Sequence, residues 1–202
     1  MNVLIMGPTG TGKTKLIRNY ALKQLKANEF DKKFFNMTGE CSASTLKSFV
    51  ERKLIRMRKQ QIMRPKGTSI HLFFVDDLNM CRADKWNIKS THELMRQWFD
   101  HEGWYDLRYH EFTKVKNVQF CANVSLPDES LHSENHLQER FMWHWALVTF
   151  VNRNEEHLTE IYKHILGWII GAWPEDVRGA STTVQITNAT LEFYKYFKKN
   201  IP

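Results

Sequence analysis

The fold of this chain is decided close to its first residue, by the stretch Gly7-Pro8-Thr9-Gly10-Thr11-Gly12-Lys13-Thr14. It fits the pattern GxxxxGK[ST] at every fixed position, between an apolar strand predicted over residues 2–6 and a helix predicted over residues 13–26. Glycines allow backbone N–H groups to turn inward around a phosphate, and the start of the helix adds the positive end of its dipole. The stretch therefore predicts a P-loop that binds the phosphates of ATP or ADP.

Two side chains of the loop and two carboxylates further along the chain complete the predicted site. Lys13 is expected to bridge the β- and γ-phosphates, and the Thr14 hydroxyl is expected to bind Mg²⁺. An apolar run over residues 70–75, typical of a strand buried on both faces, ends in Asp76 and Asp77. We expect Asp76 to support the magnesium ion through its water shell and Asp77 to orient the attacking water.

Three further residues are candidates for the catalytic machinery. Asn123 or Ser125, following a predicted strand over residues 118–122, is placed to touch the γ-phosphate or the attacking water; a purely local role is the alternative. Arg140 precedes a predicted strand over residues 147–151, where AAA+ ATPases place an arginine finger that acts on the neighbouring module's nucleotide. A surface ion pair is the alternative interpretation of Arg140.

Strands alternate with helices along the chain, which predicts a three-layer α/β fold around a parallel sheet. Residues 1–152 are expected to form the large nucleotide-binding subdomain, and residues 153–202 part of a helical lid. A basic helix capped by Ser44 or Thr45 is predicted to extend through Met57, and Gly103 is predicted to mark a turn. The five predicted strands cover residues 2–6, 34–38, 70–75, 118–122 and 147–151.

Composition excludes several classes of protein. The 202 residues include three widely spaced cysteines, which argues against a disulfide framework or a zinc site. The net charge of +7 is concentrated in residues 51–66, where no aromatic residues are interleaved, so a solvated basic helix is favoured over a nucleic-acid surface. No targeting segment is evident, and the apolar stretch over residues 164–173 is too short to span a bilayer. We expect a soluble, cytoplasmic chain without a membrane partner.

The assembled motifs resemble the third AAA+ module of dynein heavy chains, the axonemal type more than the cytoplasmic. The blocks that carry the resemblance are residues 7–14, 74–80, 93–106, 118–120 and 140–141. It implies ATP or ADP with Mg²⁺ as ligands, neighbouring AAA+ modules of a ring as partners, and microtubules as indirect partners through absent parts. It also implies a cytoskeletal location in the axoneme of a cilium or flagellum, and a regulatory site within a longer heavy chain.

The chain departs from this family's pattern at positions that bear on catalysis. Asp77 stands where AAA+ proteins commonly carry a glutamate, and a base one methylene shorter is expected to hydrolyse ATP slowly. Ser125 aligns with the usual sensor asparagine, Cys81 replaces a proline, and Trp143 replaces a second arginine. The aromatic block over residues 98–105 is interpreted as structural.

Three other functions stay open at the level of sequence. One is a free-standing P-loop enzyme such as a small kinase, although no cluster suggests an acceptor pocket. Another is a nucleic-acid ATPase, which only the basic segment supports. The last is a degenerate module that holds a nucleotide structurally, which the altered sensor region favours.

Overall fold

The computed structural model of this protein describes residues 1–57, 61–67, 70–106, 110–126, 137–173 and 180–200. They form two compact units, Met1–Val151 and Asn152–Pro202. The assignment of these units as a large nucleotide-binding subdomain and part of a lid stays a prediction. None of the helices in the described ranges is both long and apolar enough to cross a membrane.

The described part of the first unit contains both strands and helices, and the described part of the second unit is helical. The strands are β1 (Asn2–Gly7), β2 (Phe30–Asn36), β3 (Ile55–Met57), β4 (Ile62–Arg64), β5 (Ile70–Asp76), β6 (Gly103–Tyr105), β7 (Phe112–Val115), β8 (Val118–Ser125) and β9 (Trp145–Thr149). The α-helices are α1 (Lys13–Lys23), α2 (Ala43–Glu51), α3 (Ser90–His101), α4 (Glu139–Met142), α5 (Glu155–Ile170) and α6 (Ala180–Asn200). A 3-10 helix, Leu78–Met80, follows β5.

The main sheet is parallel and has the strand order β2-β5-β8-β1-β9, which confirms the predicted α/β fold. Its interior strand β5 is apolar on both faces because helices cover both sides of such a sheet. Phe73 stacks on Phe120 on one face, with ring centroids 5.6 Å apart, and Phe74 stacks on Phe34 on the other, at 5.0 Å. The two phenylalanines belong to separate core clusters, one on each side of the sheet.

The register of this sheet brings the carboxyl ends of three strands to one edge. Ile5 of β1 lies opposite Asn123 of β8, and Val75 of β5 lies opposite Ala122. The loop that leaves β1 therefore begins at the same edge as Asp76, the last residue of β5, with β8 between the two strands. Ligands of open α/β sheets bind at this edge, so the fold itself selects the location of a site.

A second, four-stranded sheet of order β3-β4-β7-β6 was not predicted from the sequence. The helix predicted to reach Met57 ends at Glu51, and residues 55–57 pair with β4 instead. The cap of this helix is Ser42, whose hydroxyl accepts from the Thr45 N–H at 3.3 Å, so Ser44 or Thr45 was the wrong assignment. Strands of three or four residues carry too little periodicity to be recognised locally.

The end of α3 also differs from the sequence-based expectation. The turn predicted at Gly103 lies one residue earlier, at Glu102, which has a φ of 53°, and Gly103 begins β6. Trp98 and Trp104 are both buried in the core, as the structural interpretation of the aromatic block requires. The indole N–H of Trp104 donates to Glu51 Oε1 at 2.9 Å, which satisfies its polar atom.

The second unit consists of α5 and α6. Asn154 caps α5, because its side-chain oxygen accepts from the His157 N–H at 3.2 Å. An exposed ion pair of 2.7 Å between Lys195 and Glu155 links the two helices.

Candidate nucleotide-binding site

The loop from Gly7 to Thr14 connects β1 to α1, and its glycines are required by geometry. Gly10 and Gly12 have φ values of 77° and 85°, in the left-handed region that glycine adopts without strain. A Cβ at Gly7 would lie 2.7 Å from the carbonyl oxygen of Phe150, so a side chain there would displace the backbone after β9. The fold therefore imposes the glycines that the sequence motif contains.

Lys13 lies inside this loop and is 5% exposed. Its ammonium donates to the carbonyl oxygens of Gly7 at 2.8 Å and Pro8 at 2.6 Å. Burial lowers the pKa of Lys13, while the nearby carboxylates of Asp77 and Asp76 act in the opposite direction. The loop thus encloses a cation at the position where a P-loop binds phosphate.

Thr14, Asp76 and Asn123 meet next to the loop, although they come from three distant parts of the sequence. The Thr14 hydroxyl donates to Asp76 Oδ1 at 2.9 Å, and the Asn123 side-chain amide donates to Thr14 Oγ1 at 3.0 Å and also to Asp76 Oδ1. Asn123 is 1% exposed, so these hydrogen bonds hold it in one orientation. We name these three residues the carboxylate cluster.

The carboxylate cluster offers hard oxygen atoms of the type that Mg²⁺ prefers, namely one hydroxyl and one carboxylate. In the ranges that the structure describes, no group of three or more His, Cys, Asp or Glu side chains could hold a metal alone. An ion bound by Thr14 and Asp76 would need oxygens from a nucleotide and from water to complete its shell. The donor set therefore fits a magnesium ion that arrives with a phosphate ligand.

Asp77, the residue after Asp76, has a left-handed backbone conformation with a φ of 52°. Its backbone N–H donates to Asn123 Oδ1 at 2.8 Å. Burial raises the pKa of the Asp77 carboxyl, as does the neighbouring Asp76, whereas Lys13 and a hydrogen bond with the Ser125 side chain lower it. Asn123 and Ser125, which the sequence left as alternatives, thus both contact Asp77.

Residues that the sequence analysis did not select support this turn. The Asn79 amide donates to the Ser125 carbonyl at 3.2 Å, and the Lys89 ammonium donates to the Asn79 carbonyl at 2.9 Å. His92 Nε2 lies 2.9 Å from the Leu78 carbonyl. A buried lysine and a buried histidine at the start of a helix have no local sequence signature, because such residues are usually exposed there.

Arg140 is placed outside the carboxylate cluster, on α4, with 55% of its side chain exposed. Its guanidinium pairs with Glu93 of α3 at 2.6 Å and donates to Gln138 Oε1 at 2.9 Å. This is the ion pair that the sequence analysis named as the alternative. Because a finger would act on a neighbouring module, this placement leaves the predicted role of Arg140 open.

A parallel sheet with this strand order, a glycine loop after its strand β1 and a carboxylate after β5 define a P-loop nucleotide-binding domain of the AAA+ type. Residues 1–152 match the family model described as the P-loop containing dynein motor region. The chain belongs to this family.

Relatives among known proteins cover nearly the whole chain. Dynein axonemal heavy chain 1 of Rattus norvegicus is 32% identical over 203 residues, which cover 95% of this chain and 4% of the relative. Dynein axonemal heavy chain 12 of Homo sapiens is 25% identical over 199 residues, covering 98% of this chain and 6% of the relative. Dynein axonemal heavy chain 3 of Mus musculus is 30% identical over 169 residues, which cover 84% of this chain and 4% of the relative. The chain thus spans a small fraction of these relatives' length.

Proposed function

We propose that this chain binds Mg-ATP between the loop Gly7–Thr14 and the carboxylate cluster. The observation that carries the proposal is the contact of Thr14 with Asp76, 62 positions apart, beside the buried ammonium of Lys13. Lys13 would neutralise the β- and γ-phosphates, and Thr14 and Asp76 would hold the cation, Asp76 through its water shell. Mg²⁺ would screen the phosphate charge, and Asn123 would fix the orientation of Thr14 and Asp76.

We further propose that the module works as a regulatory nucleotide site within a dynein-like ring, and that it corresponds to the third AAA+ module. The relatives are named as axonemal dynein heavy chains, and the chain matches a few per cent of their length. Its partners would then be neighbouring AAA+ modules, with microtubules contacted only by other parts of a heavy chain. Its location would be the cytoskeleton of a cilium or flagellum.

Hydrolysis at this site is proposed to be slow. Asp77 is a short base, and its backbone is fixed by the hydrogen bond from its N–H to Asn123 Oδ1. The Arg140 guanidinium, paired with Glu93, would stabilise the transition state only at a neighbour's nucleotide. An isolated module would therefore lack the contribution of a finger at its own site.

A specific observation also supports a second candidate, a module that holds its nucleotide without hydrolysing it. The residues that would bind the nucleotide are assembled, with Thr14 bonded to Asp76, whereas the candidate finger Arg140 is paired with Glu93 outside the carboxylate cluster. Such a site would bind ATP and ADP yet show no turnover.

Calorimetry with ATP, ADP and GTP, with and without Mg²⁺, tests the binding proposal, and a turnover assay on the same sample separates the two candidates. Lys13→Ala is expected to abolish measurable ATP binding, because it removes the cation enclosed by the loop. Lys15→Ala, which changes an exposed lysine of the same helix, is the matched control and should bind normally. Unchanged affinity in folded Lys13→Ala protein would contradict the assignment of the loop.

A further inference from the structure

Lys89 is a buried cation that the proposed nucleotide chemistry does not use. It is 5% exposed and occupies the N-cap position of α3. Burial lowers the pKa of its ammonium, while the Cys81 thiol acts in the opposite direction. Both the loss of solvent and the positive end of the helix dipole disfavour a lysine at this position. Such costs are offset only where the buried ammonium makes a good hydrogen bond.

The contact that Lys89 makes is with the segment that follows the proposed catalytic aspartate. Its Nζ donates to the backbone carbonyl of Asn79 at 2.9 Å. The side chain of Asn79 in turn donates to the Ser125 carbonyl at 3.2 Å, and the Met80 N–H donates to the Asp77 carbonyl at 2.9 Å. Lys89 therefore bonds the short turn that begins at Asp77, and Asn79 ties the same turn to the end of β8.

The turn at Asp77 requires such support. Asp77 has a φ of 52°, a conformation that L-residues adopt rarely and that persists only when surrounding contacts determine it. On one side the turn is held by the bond from the Asp77 N–H to Asn123 Oδ1. On the other side it continues into Leu78–Met80, where the Leu78 and Asn79 carbonyls accept from His92 and Lys89 at the start of α3.

We propose that Lys89 is a positioning residue for Asp77, which it orients by fixing the Asn79 carbonyl and, through Asn79, the Ser125 strand end. This inference rests on the proposed function, in which Asp77 orients the attacking water. Lys89 bonds the Asn79 carbonyl and none of the residues proposed to hold the nucleotide. Its loss should therefore change the rate of hydrolysis and the order of the Asp77 turn, and leave nucleotide affinity almost unchanged.

The test compares Lys89→Met, which keeps most of the apolar part of the side chain but removes the donor, with Lys89→Gln, which keeps an amide donor. Lys85→Met, at an exposed lysine in the same connection, controls for the loss of one positive charge. Three quantities are measured on the whole chain: Mg-ATP affinity by calorimetry, single-turnover hydrolysis with protein in excess, and hydrogen exchange of the Asp77 amide without nucleotide.

We expect Lys89→Met to keep the affinity within about twofold while the hydrolysis rate falls at least about tenfold, since small displacements of a catalytic group are costly. The Asp77 amide should exchange at least about tenfold faster, with the Val75 amide of β5 unchanged, because the opening is local. Lys89→Gln should recover most of both effects, which a general packing defect would not allow.

The proposal is overturned if Lys89→Met and Lys85→Met have the same hydrogen-exchange rate at the Asp77 amide and the same hydrolysis rate. It is also overturned if Lys89→Met accelerates exchange at the Asp77 and Val75 amides equally. Failure of all variants, and of the unmodified chain, to bind Mg-ATP would instead overturn the proposed function. The exchange measurement needs no nucleotide, so it still decides whether Lys89 holds the Asp77 turn.

Discussion

The side-chain amide of Asn123 donates a hydrogen bond to the hydroxyl of Thr14 at 3.0 Å, across 109 positions of sequence. Thr14 begins the helix after the phosphate loop, and Asn123 lies near the end of β8. The same Asn123 side chain also bonds Asp76 and accepts from the Asp77 N–H. One buried amide therefore joins the loop, the proposed magnesium ligand and the proposed base.

This relationship predicts that Asn123→Leu, which keeps the approximate volume, lowers the free energy of unfolding by about 2 kcal/mol, because buried partners lose their hydrogen bonds. It should also weaken Mg-ATP binding, since Thr14 and Asp76 are no longer oriented. Gln119→Leu, at a residue of the same strand whose amide bonds the Met1 carbonyl, is the control and should change neither property strongly. Urea unfolding and calorimetry measure the two effects, and equal behaviour of the two variants would contradict the role given to Asn123.

The ion site predicts a dependence on magnesium. Thr14→Ala and Asp76→Ala should weaken binding of ATP in the presence of Mg²⁺ by about tenfold or more, because both act through the cation. Binding without Mg²⁺ should stay comparatively intact. Thr9→Ala, an exposed threonine of the same loop, is the matched control. Equal losses with and without Mg²⁺ would mean that the two residues maintain the shape of the loop rather than bind the ion.

Part of the fold and of the candidate site could be predicted from local patterns in the sequence. Gly10, Gly12, Lys13 and Thr14 form a contiguous motif, and the apolar run before Asp76 identifies a buried strand, so the loop and the parallel sheet were predictable from local patterns. Asn123 and Ser125 could not be separated, because residues two apart in a strand share a face. The structure explains that ambiguity, since both residues contact Asp77.

Other features depend on tertiary contacts that no local sequence pattern predicts. Residues 55–57 continue a helical pattern, yet they pair with β4, because the edge of the second sheet offers them backbone partners. Lys89 is the N-cap of α3 and His92 lies in its first turn, two places where charged and polar residues are normally exposed to solvent. Only the tertiary arrangement of α3 against Leu78–Met80 shows that they are buried.

The burial of His92 predicts a loss of stability in acid. Its ring stacks on Phe141, and its surroundings include Cys81, Lys89 and Glu93. Desolvation lowers the pKa of His92 from 6.5 to about 4, so the folded chain holds it neutral while the unfolded chain protonates it near pH 6.5. The stability that this group contributes is complete above pH 6.5 and is lost as the pH falls toward 4, by roughly 3 kcal/mol in total.

His92→Gln tests this dependence, because an amide can still donate to the Leu78 carbonyl but does not titrate between these pH values. Urea unfolding of both proteins at a series of pH values between 7.5 and 4.5 gives the free energy of unfolding for each. We expect the variant to be less stable at neutral pH, where it loses the stacking on Phe141. Its free energy of unfolding should, however, fall less steeply as the pH is lowered. Equal slopes for the two proteins would show that groups other than His92 cause the loss of stability in acid.

The last prediction concerns turnover by the chain alone. We expect it to bind Mg-ATP and to hydrolyse it slowly, because Asp77 is short for a base and Arg140 is paired with Glu93 away from the carboxylate cluster. A missing arginine finger alone accounts for a loss of roughly 10³ to 10⁵ in the hydrolysis rate.

Asp77→Glu should raise the single-turnover rate by extending the base toward the water. It should also lower the free energy of unfolding by about 1 kcal/mol, because glutamate tolerates a positive φ less well than aspartate. Asp77→Asn keeps the shape and removes the base, so it should fall below the unmodified chain. These rates are measured on dilute, demonstrably monomeric protein. Turnover on the order of one per second or faster, lost in Asp77→Asn, would reveal a self-sufficient active site and would favour a free-standing ATPase over a module that depends on its neighbours.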